Sequence, residues 1–471
     1  MKTTTFLILF PTFIFISCRS TNQNATSLGN DIVPGKWNAD LSGFMEKNSL
    51  DFWAYEFNAT ELTELIKLSN KNNYELNSMY QRVVARGEDA TMVGATIFPK
   101  ANAHVSGSKT KRNLIGFNFP NSETSFTSNS FSSGINISWE LDLWGKIKNQ
   151  KLSAKKRFEA SLLDYEAAKL SLNGQVAKAW FNFLENSHQI QLVEKTINTY
   201  SKNLTFINNR YEKGLATALD QKLAEASFKS SQSTLAQRRR IENNLTQILL
   251  ELIGSSPSEK INFNTTSSLP ELIMPPLPPT PSEVVNARHD LLSAKLQIAA
   301  SGLDLKVAQK NLLPSLTLTG SPGSRSDNFE DLIDKKFRVW DISGGISQPL
   351  FQGGRLRAGV RKAKALQKAA LLNFKAIALR SFYEIENTLS ADGHLATEEK
   401  KLKEASLALA NAADLTWDRY QNGLEGIFNT LDTRRRAFEA QSRFLSAKKE
   451  RILNRINLYI AIGMKAVAPE L

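Results

Sequence analysis

Between Leu162 and Tyr211, apolar residues return at alternating steps of three and four: Leu162, Tyr165, Leu172, Val176, Ala179, Phe183, Ile190, Val193, Ile197, Tyr200, Leu204, Ile207 and Tyr211. Only Lys169 and Asn186 interrupt the series. A straight α-helix turns once in about 3.6 residues, so a stripe held near 3.5 makes helices wind around one another. Between Gly145 and Tyr211 there is one glycine, Gly174, and no proline. At about 1.5 Å per residue, such a helix reaches on the order of 100 Å. A rod of that length needs neighbours along its whole course, so the spacing predicts long helices lying side by side.

The rod ends at Arg210-Tyr211-Glu212-Lys213-Gly214-Leu215, a glycine turn. A returning helix is predicted from about Thr217 to Ile253, closing at Gly254. Residues Ser255 to Pro281 hold seven prolines, which reads as an extended linker. Beyond it a helix is predicted over Ser282 to Asn311, a further long helix follows Gly353-Gly354, and the chain turns at Arg419-Tyr420-Gln421-Asn422-Gly423-Leu424. The last helix repeats Leu431, Phe438, Leu445, Ile452 and Tyr459 at sevens and ends at Ile462-Gly463. The halves superpose: Ser138 on Ser347, Gly145 on Gly354, Arg210-Tyr211 on Arg419-Tyr420, Gly214 on Gly423, and Ile253-Gly254 on Ile462-Gly463. Every pair is 209 apart, as 423 is from 214. A repeat without insertion across both hairpins means one structural unit used twice.

Before each long helix the pattern changes to period two. Ile97, Ala101, Ala103 and Val105 alternate with Lys100, Asn102, His104 and Ser106. After a polar loop, about Lys109 to Ser128, Ile135, Ile137, Trp139, Leu141 and Leu143 alternate with Asn136, Ser138, Glu140 and Asp142. In the second half, Leu316 and Leu318 alternate with Ser315, Thr317 and Thr319, and Trp340, Ile342, Ile346 and Leu350 with Asp341, Ser343 and Ser347. Runs of about ten residues suit tilted membrane-crossing strands, apolar outward and polar inward, and also suit a soluble amphipathic hairpin. Four strands cannot close a barrel, and an open edge in lipid leaves backbone groups unpaired, so several chains would have to share one wall. Trp144-Gly145 and Gly353-Gly354 would let each rod continue directly from a strand. Upstream, Trp37 to Phe57 carries aromatics without clear periodicity. Asn58 or Thr60 can cap a short helix, and helical character resumes from about Tyr74 to Gly94.

Composition decides among the remaining classes. Mean hydropathy is −0.30, and no apolar run beyond the first residues approaches the roughly 18 to 20 of a spanning helix. The formal charge is +13. A basic balance permits anionic partners. Its densest triplets, Arg238-Arg239-Arg240 and Arg434-Arg435-Arg436, sit in mixed helical sequence and read as solvated faces. The single cysteine, Cys18, follows Lys2 and the apolar segment Phe6 to Ile16. Phe15-Ile16-Ser17-Cys18 is similar to a bacterial lipobox with phenylalanine in the usual leucine place, so Cys18 is the expected lipidation site, with residues 1–17 as the signal peptide. A single acyl chain attaches a protein only marginally, so a second membrane element is needed. The predicted organisation is then residues 18–57 as tether and equatorial segment, 58–254 as first repeat, 255–281 as linker, 282–463 as second repeat and 464–471 as tail.

Ser138-Trp139-Glu140-Leu141-Asp142-Leu143-Trp144-Gly145-Lys146, Gln348-Pro349-Leu350-Phe351-Gln352-Gly353-Gly354-Arg355-Leu356, the two Arg-Tyr-x-x-Gly turns and Ala287-Arg288-His289-Asp290-Leu291 together resemble the TolC-like outer-membrane efflux protein family, in its lipoprotein branch. The resemblance implies a mainly α chain with a membrane β-barrel: a homotrimer sharing twelve strands, over an α-helical barrel that crosses the periplasm. It implies an equatorial belt, a periplasmic adaptor and an inner-membrane pump of the resistance-nodulation-division or a related class. It also implies a gate at the helix tips. Asp432 matches a tip aspartate whose copies form a ring, Asp220 an aspartate tying neighbouring helices, and Tyr420 a tyrosine among those ties. Asn429 stands where a second ring aspartate often sits, and Glu425 where a gate-bonding basic residue can sit. Converging carboxylates would raise one another's pKa and favour cations.

Nothing in the pattern asks for catalysis or a cofactor. The histidines His104, His188, His289 and His394 are scattered, no ligand set has zinc spacing, and Gly353-Gly354 lacks the lysine of a phosphate loop. Two rivals remain at this point: a protein-secretion duct of the same fold, and a cytoplasmic basic coiled-coil protein binding nucleic acid. The signal segment and the amphipathic runs count against the second.

Overall fold

The computed structural model describes residues 33–45, 52–113, 125–259 and 268–468. Cys18 and the signal segment therefore lie outside the described residues. The chain is built on two helical hairpins. The first joins α3 (Lys146–Glu212) to α4 (Ala218–Leu252), and the second joins α7 (Arg355–Gln421) to α8 (Ile427–Ala461). The long arms have 67 residues each and the returning arms 35 each. All four boundaries are offset by 209 residues, as 355 is from 146. At about 1.5 Å per residue the long arms span on the order of 100 Å.

A long arm is twice too long for its returning partner, and shorter helices fill the difference. These are α1 (Thr60–Asn72), α2 (Tyr74–Ala95), α5 (Pro281–Ala287) and α6 (His289–Lys310). α2 and α6 pack along the strand-proximal part of α3, α4 packs along its distal part, and α6 also reaches α7. Of the heptad stripe, Leu172 to Ile207 is largely buried, whereas Leu162 and Tyr211 at its ends are about 40% exposed. Asn186, a break in the stripe, is buried and donates through Nδ2 to the Arg238 carbonyl at 3.1 Å, pinning α4 to α3.

Three boundaries differ from expectation. The helix predicted over 282–311 begins one residue earlier, at Pro281, where a Thr280–Glu283 capping box accepts the proline at the first helical position. It then breaks at Arg288, which is extended (φ −69°, ψ 128°) and bonds to Asp290, Glu384 and the Ala461 carbonyl. Those bonds hold the kink between α5 and α6 against α7 and the end of α8. Neither Asn58 nor Thr60 caps α1: Ala59 is its N-cap, and Asn58 instead closes the preceding 3-10 turn in left-handed conformation (φ 49°).

The strands are β1 (Lys100–Asn113), β2 (Ser125–Leu141), β3 (Ser315–Gly320), β4 (Gly323–Ser326), β5 (Arg338–Val339) and β6 (Ile342–Ser347). β1 and β2 run further into the predicted polar loop than expected, because Ser, Thr and Asn pair across the ladder as far as Asn113 opposite Ser125. The second pair is shorter and interrupted. β3 and β4 both pair with β2, and β6 and β5 pair with β3 and β4, so six segments form four antiparallel courses.

The core sits at mid-length and at the hairpin tips. At mid-length Trp53, Trp180, Phe181, Leu249, Ile456 and Tyr459 pack together, and beside them Trp37 packs with Phe382, Ile385 and Leu458. Segments without long helices fasten here. Met45 exchanges backbone bonds with Pro275 and Leu277 of the linker, and Trp53 and Ala54 donate to Lys465 and Ala466 of the tail. Arg455 of α8 is fully buried in this belt, with Glu56 at 2.7 Å, Asp392 of α7 at 3.4 Å and the Ile273 carbonyl at 3.1 Å.

Candidate channel wall and tip gate

The ladder sorts the sheet into two faces. Ala101 pairs with Ile137, Ile137 with Gly320 and Gly320 with Ile342; Leu141 pairs with Leu316 and Leu316 with Ile346; Trp139 pairs with Leu318. With Ala103, Val105 and Ile135, these residues form one apolar face. Ile137 and Ile346, superposed by the repeat, share it. Val105, Ile342 and Ile346 are 70 to 77% exposed. A band of exposed β-branched residues on this scale marks an interaction surface. The other face carries hydroxyls and amides, with Ser106 bonded to Ser132 at 2.8 Å and Thr319 to Ser343 at 2.7 Å. Among the described residues, the outer edge of β1 and the outer edges of β5 and β6 have no strand partner.

The strand-to-helix corners fall where the glycines predicted them. Gly145 has φ 70° and Gly354 φ 81°, a left-handed turn that a side chain strains, and each is the N-cap of its rod. The first corner carries a device the sequence reading missed. The Asp142 carboxylate accepts the backbone N–H groups of Ile147 (3.0 Å) and Lys148 (2.7 Å), satisfying the open end of α3. An aspartate three residues before the corner glycine was the available signal. Trp144 donates to the Pro314 carbonyl at 2.6 Å, and Lys310 donates to the Gly145 carbonyl at 3.2 Å, tying the two halves at this level.

At the opposite end both hairpins turn alike. Leu215 donates to the Arg210 carbonyl and Gly214 to that of Tyr211; Leu424 donates to Arg419 and Gly423 to Tyr420. The glycines sit at φ 71° and 74° in paired Schellman turns. Tyr420 is buried, packed with Phe206 and Trp417, and lies under the Arg210 guanidinium at 5.5 Å from its ring. Burial pushes its phenol pKa up; Arg210 opposes the shift and Asp220 adds to it. Asp220 itself forms a capping box with Thr217 at the start of α4.

Asp432 accepts from Arg435 and Arg436 of its own helix, each at 2.7 Å, and Arg435 foremost holds its carboxyl below the usual range. Within the chain this is the reverse of the upward shift expected from converging carboxylates. Glu425 and Asn429, the two departures from the family pattern, meet each other: Asn429 donates to the Glu425 carboxylate at 2.9 Å, and Arg419 lies 3.9 Å away. Arg434 corrects the reading of its triplet as a solvated face. It lies over the Trp417 ring at 5.2 Å, with Asp414 at 3.9 Å, and is mostly covered. Arg239 does pair at the surface, with Glu194 at 3.3 Å. Leu215, Leu219, Leu424 and Phe428 project from the tip, each more than 60% exposed.

Among the described residues no helix is long and apolar enough to cross a membrane. A two-faced sheet, open at both edges among the described residues, continues into paired rods on the order of 100 Å long, the layout of a channel wall. The family model for outer membrane efflux proteins matches residues 65–255 and 280–464, on either side of the linker, and the chain belongs to that family. Two relatives are the pyoverdine export outer membrane protein OpmQ of Pseudomonas putida, 25% identical with 91% of each chain covered, and the outer membrane protein OprJ of Pseudomonas aeruginosa, 25% identical with 88% of this chain and 86% of that one covered. The solved outer-membrane channel OprN has the same fold, with a TM-score of 0.84 at 23% identity over 92% of this chain and 98% of that one. The TolC-like fold and the outer-membrane efflux function expected from the sequence are thus those of the family, which is made up of channels. The nucleic-acid reading is set aside on the same finding.

Proposed function

We propose that three copies of this chain close a twelve-stranded barrel in the outer membrane and an α-helical barrel beneath it, forming the passive export duct of a tripartite efflux system. The carrying observation is the open sheet. Its unpaired edges in lipid would leave backbone groups unsatisfied at several kcal/mol each, which neighbouring copies would relieve. Cys18 carries the lipid anchor, and the sheet supplies the second membrane element that one acyl chain requires. The exposed leucines and Phe428 at the tip face the periplasm, where an adaptor that joins the duct to an inner-membrane pump would cover them. Tyr420, Asp220, Asp432, Glu425 and Asn429 form the tip gate. No chemistry is performed on the cargo, so the chain is not an enzyme and holds no cofactor.

Two measurements test the proposal together. Protein extracted from outer membranes with detergent should have the mass of three chains, and deleting its gene should raise the host's sensitivity to small toxic solutes. A monomer that leaves the membrane without detergent would refute the reading. Cys18→Ala should loosen membrane attachment without abolishing it.

A further inference from the structure

Both rods start basic. Residues 146–159 of α3 hold six Lys and Arg, and residues 355–368 of α7 hold six more. No Asp or Glu stands between Asp341 and Glu384, and among the described residues none of the six α7 cations is ion-paired. The helices alongside do not neutralise them. Gly94 of α2 sits against Lys151 and Gly87 against Phe158; on α6, Lys310 sits at Gly145 and Gly302 against Gln367. Residues 86–95 and 302–310 therefore share this level, and they add the cations Arg86, Lys306 and Lys310. The carboxylates of the level are Glu88, Asp89, Glu159 and Asp304, with Glu140 and Asp142 at the corner above. Each chain thus sets fifteen cations against six carboxylates, an excess of nine. Glu140, Glu159 and Asp304 are already held by Lys146, Lys156 and Arg157, and Asp142 caps α3.

This collar adjoins the apolar band of the sheet. Leu350 and Phe351, just before the Gly353-Gly354 corner, are 93% and 90% exposed, and Leu143 and Trp144 are exposed at the other corner. At about 1.5 Å per residue, Arg355, Arg357 and Arg361 fall within roughly 10 Å of the corner, the depth of a headgroup layer. The collar also faces outward. Arg361, Lys368 and Lys375 stand at sevens with Phe382, which Trp37 covers at 6.2 Å between ring centroids, and the Asn38 backbone N–H donates to Glu386 at 3.1 Å. The strap bearing Trp37 and Asn38 leads back to the residue expected to carry the lipid, so it runs outside the wall. Arg357 and Lys364 lie beside that stripe, and the repeat matches them with Lys148 and Lys155.

We infer that this collar docks the anionic phospholipid headgroups of the inner leaflet of the outer membrane. The inference rests on the reading of the sheet as a membrane wall. Clusters of about four to eight Lys and Arg immediately beyond a membrane-crossing segment attract acidic lipid, and the attraction fades within a Debye length. The use of the same device at both corners suits a continuous charged surface rather than a single soluble anion.

The test is tryptophan quenching of the full-length protein reconstituted in vesicles containing brominated phosphatidylglycerol or brominated phosphatidylcholine, with Trp144 as the reporter at the corner. At about 50 mM KCl the wild type should bind phosphatidylglycerol at least about threefold more tightly. About 0.5 M KCl should bring the two lipids close to parity. Lys148→Gln/Lys155→Gln/Arg357→Gln/Arg361→Gln/Lys364→Gln should cut the preference at least about twofold. Arg239→Gln/Arg240→Gln, on α4, should leave it unchanged. Equal binding of both lipids by the wild type, or an unchanged preference in the collar variant, overturns the inference while the membrane wall stands. Quenching by neither lipid overturns the membrane-wall reading, and the inference with it.

Discussion

Arg455 offers the sharpest energetic test of the mid-length belt. Its guanidinium is fully buried and is the cation bonded to both Glu56 and Asp392, whose side chains are 3% and 7% exposed. Arg455→Met keeps the volume roughly constant but strands two carboxylates away from water. Removing one partner of a buried ion cluster costs about 3–5 kcal/mol, whereas replacing the whole cluster by neutral groups is often close to neutral. Glu56 partly relieves itself by taking up a proton, and Tyr459 keeps its hydrogen bond to that carboxyl. We therefore expect the single variant to lose about 3 kcal/mol, the lower end of that range. Arg455→Met/Glu56→Gln/Asp392→Asn should recover most of it. Trp53 stacks on Tyr459 at 6.2 Å, so tryptophan fluorescence during urea unfolding of the detergent-solubilised protein reports on this site. A single variant within about 1 kcal/mol of wild type, or a triple variant worse than the single, would refute the reasoning.

The other predictions concern acid, backbone and gate. Burial lifts the Glu56 carboxyl above its ordinary 4.5 despite Arg455 at 2.7 Å, so desolvation outweighs the ion pair. A raised carboxyl binds a proton on folding: its contribution is complete below pH 4.5 and fades as pH rises through the folded value. Glu56→Gln should flatten the urea midpoint against pH in that window. Gly423→Ala and Gly254→Ala both place a side chain at φ near 74°, a strain of about 1–2 kcal/mol. The new methyl meets nothing at Gly423 but lies 2.4 Å from the Asn72 carbonyl oxygen at Gly254, so thermal unfolding should show the second clearly less stable. Asp432→Ala/Tyr420→Phe should raise single-channel conductance in planar bilayers, and an unchanged value would remove these residues from the gate.

What could be read in advance was whatever repeats. The 209-residue offset located both hairpins, six glycine turns and the matched faces of Ile137 and Ile346, because backbone geometry at a glycine and side-chain alternation are local properties. The strand lengths were less legible: beyond Val105 the ladder is carried by Ser, Thr and Asn, which look like loop in a sequence and like a wetted wall in a sheet. The break at Arg288 was hidden because its cause lies in Glu384 and Ala461, far along the chain. At the tip, the resemblance points to Asp220, Tyr420 and Asp432, but their partners depend on packing. Arg434 looked like one more solvated charge until Trp417 was placed beneath it. The capping role of Asp142 is not legible in its motif, since capping is visible only once the start of the rod is known.

A sheet that leaves both margins open also has a bearing on inheritance. If each copy furnishes a third of the wall, a defective copy spoils the vessel it joins instead of dropping out of it. With equal amounts of sound and faulty chains mixing at random, about one assembly in eight contains only sound ones. Mutant alleles that still assemble should therefore be dominant, while alleles that fail to fold should be recessive.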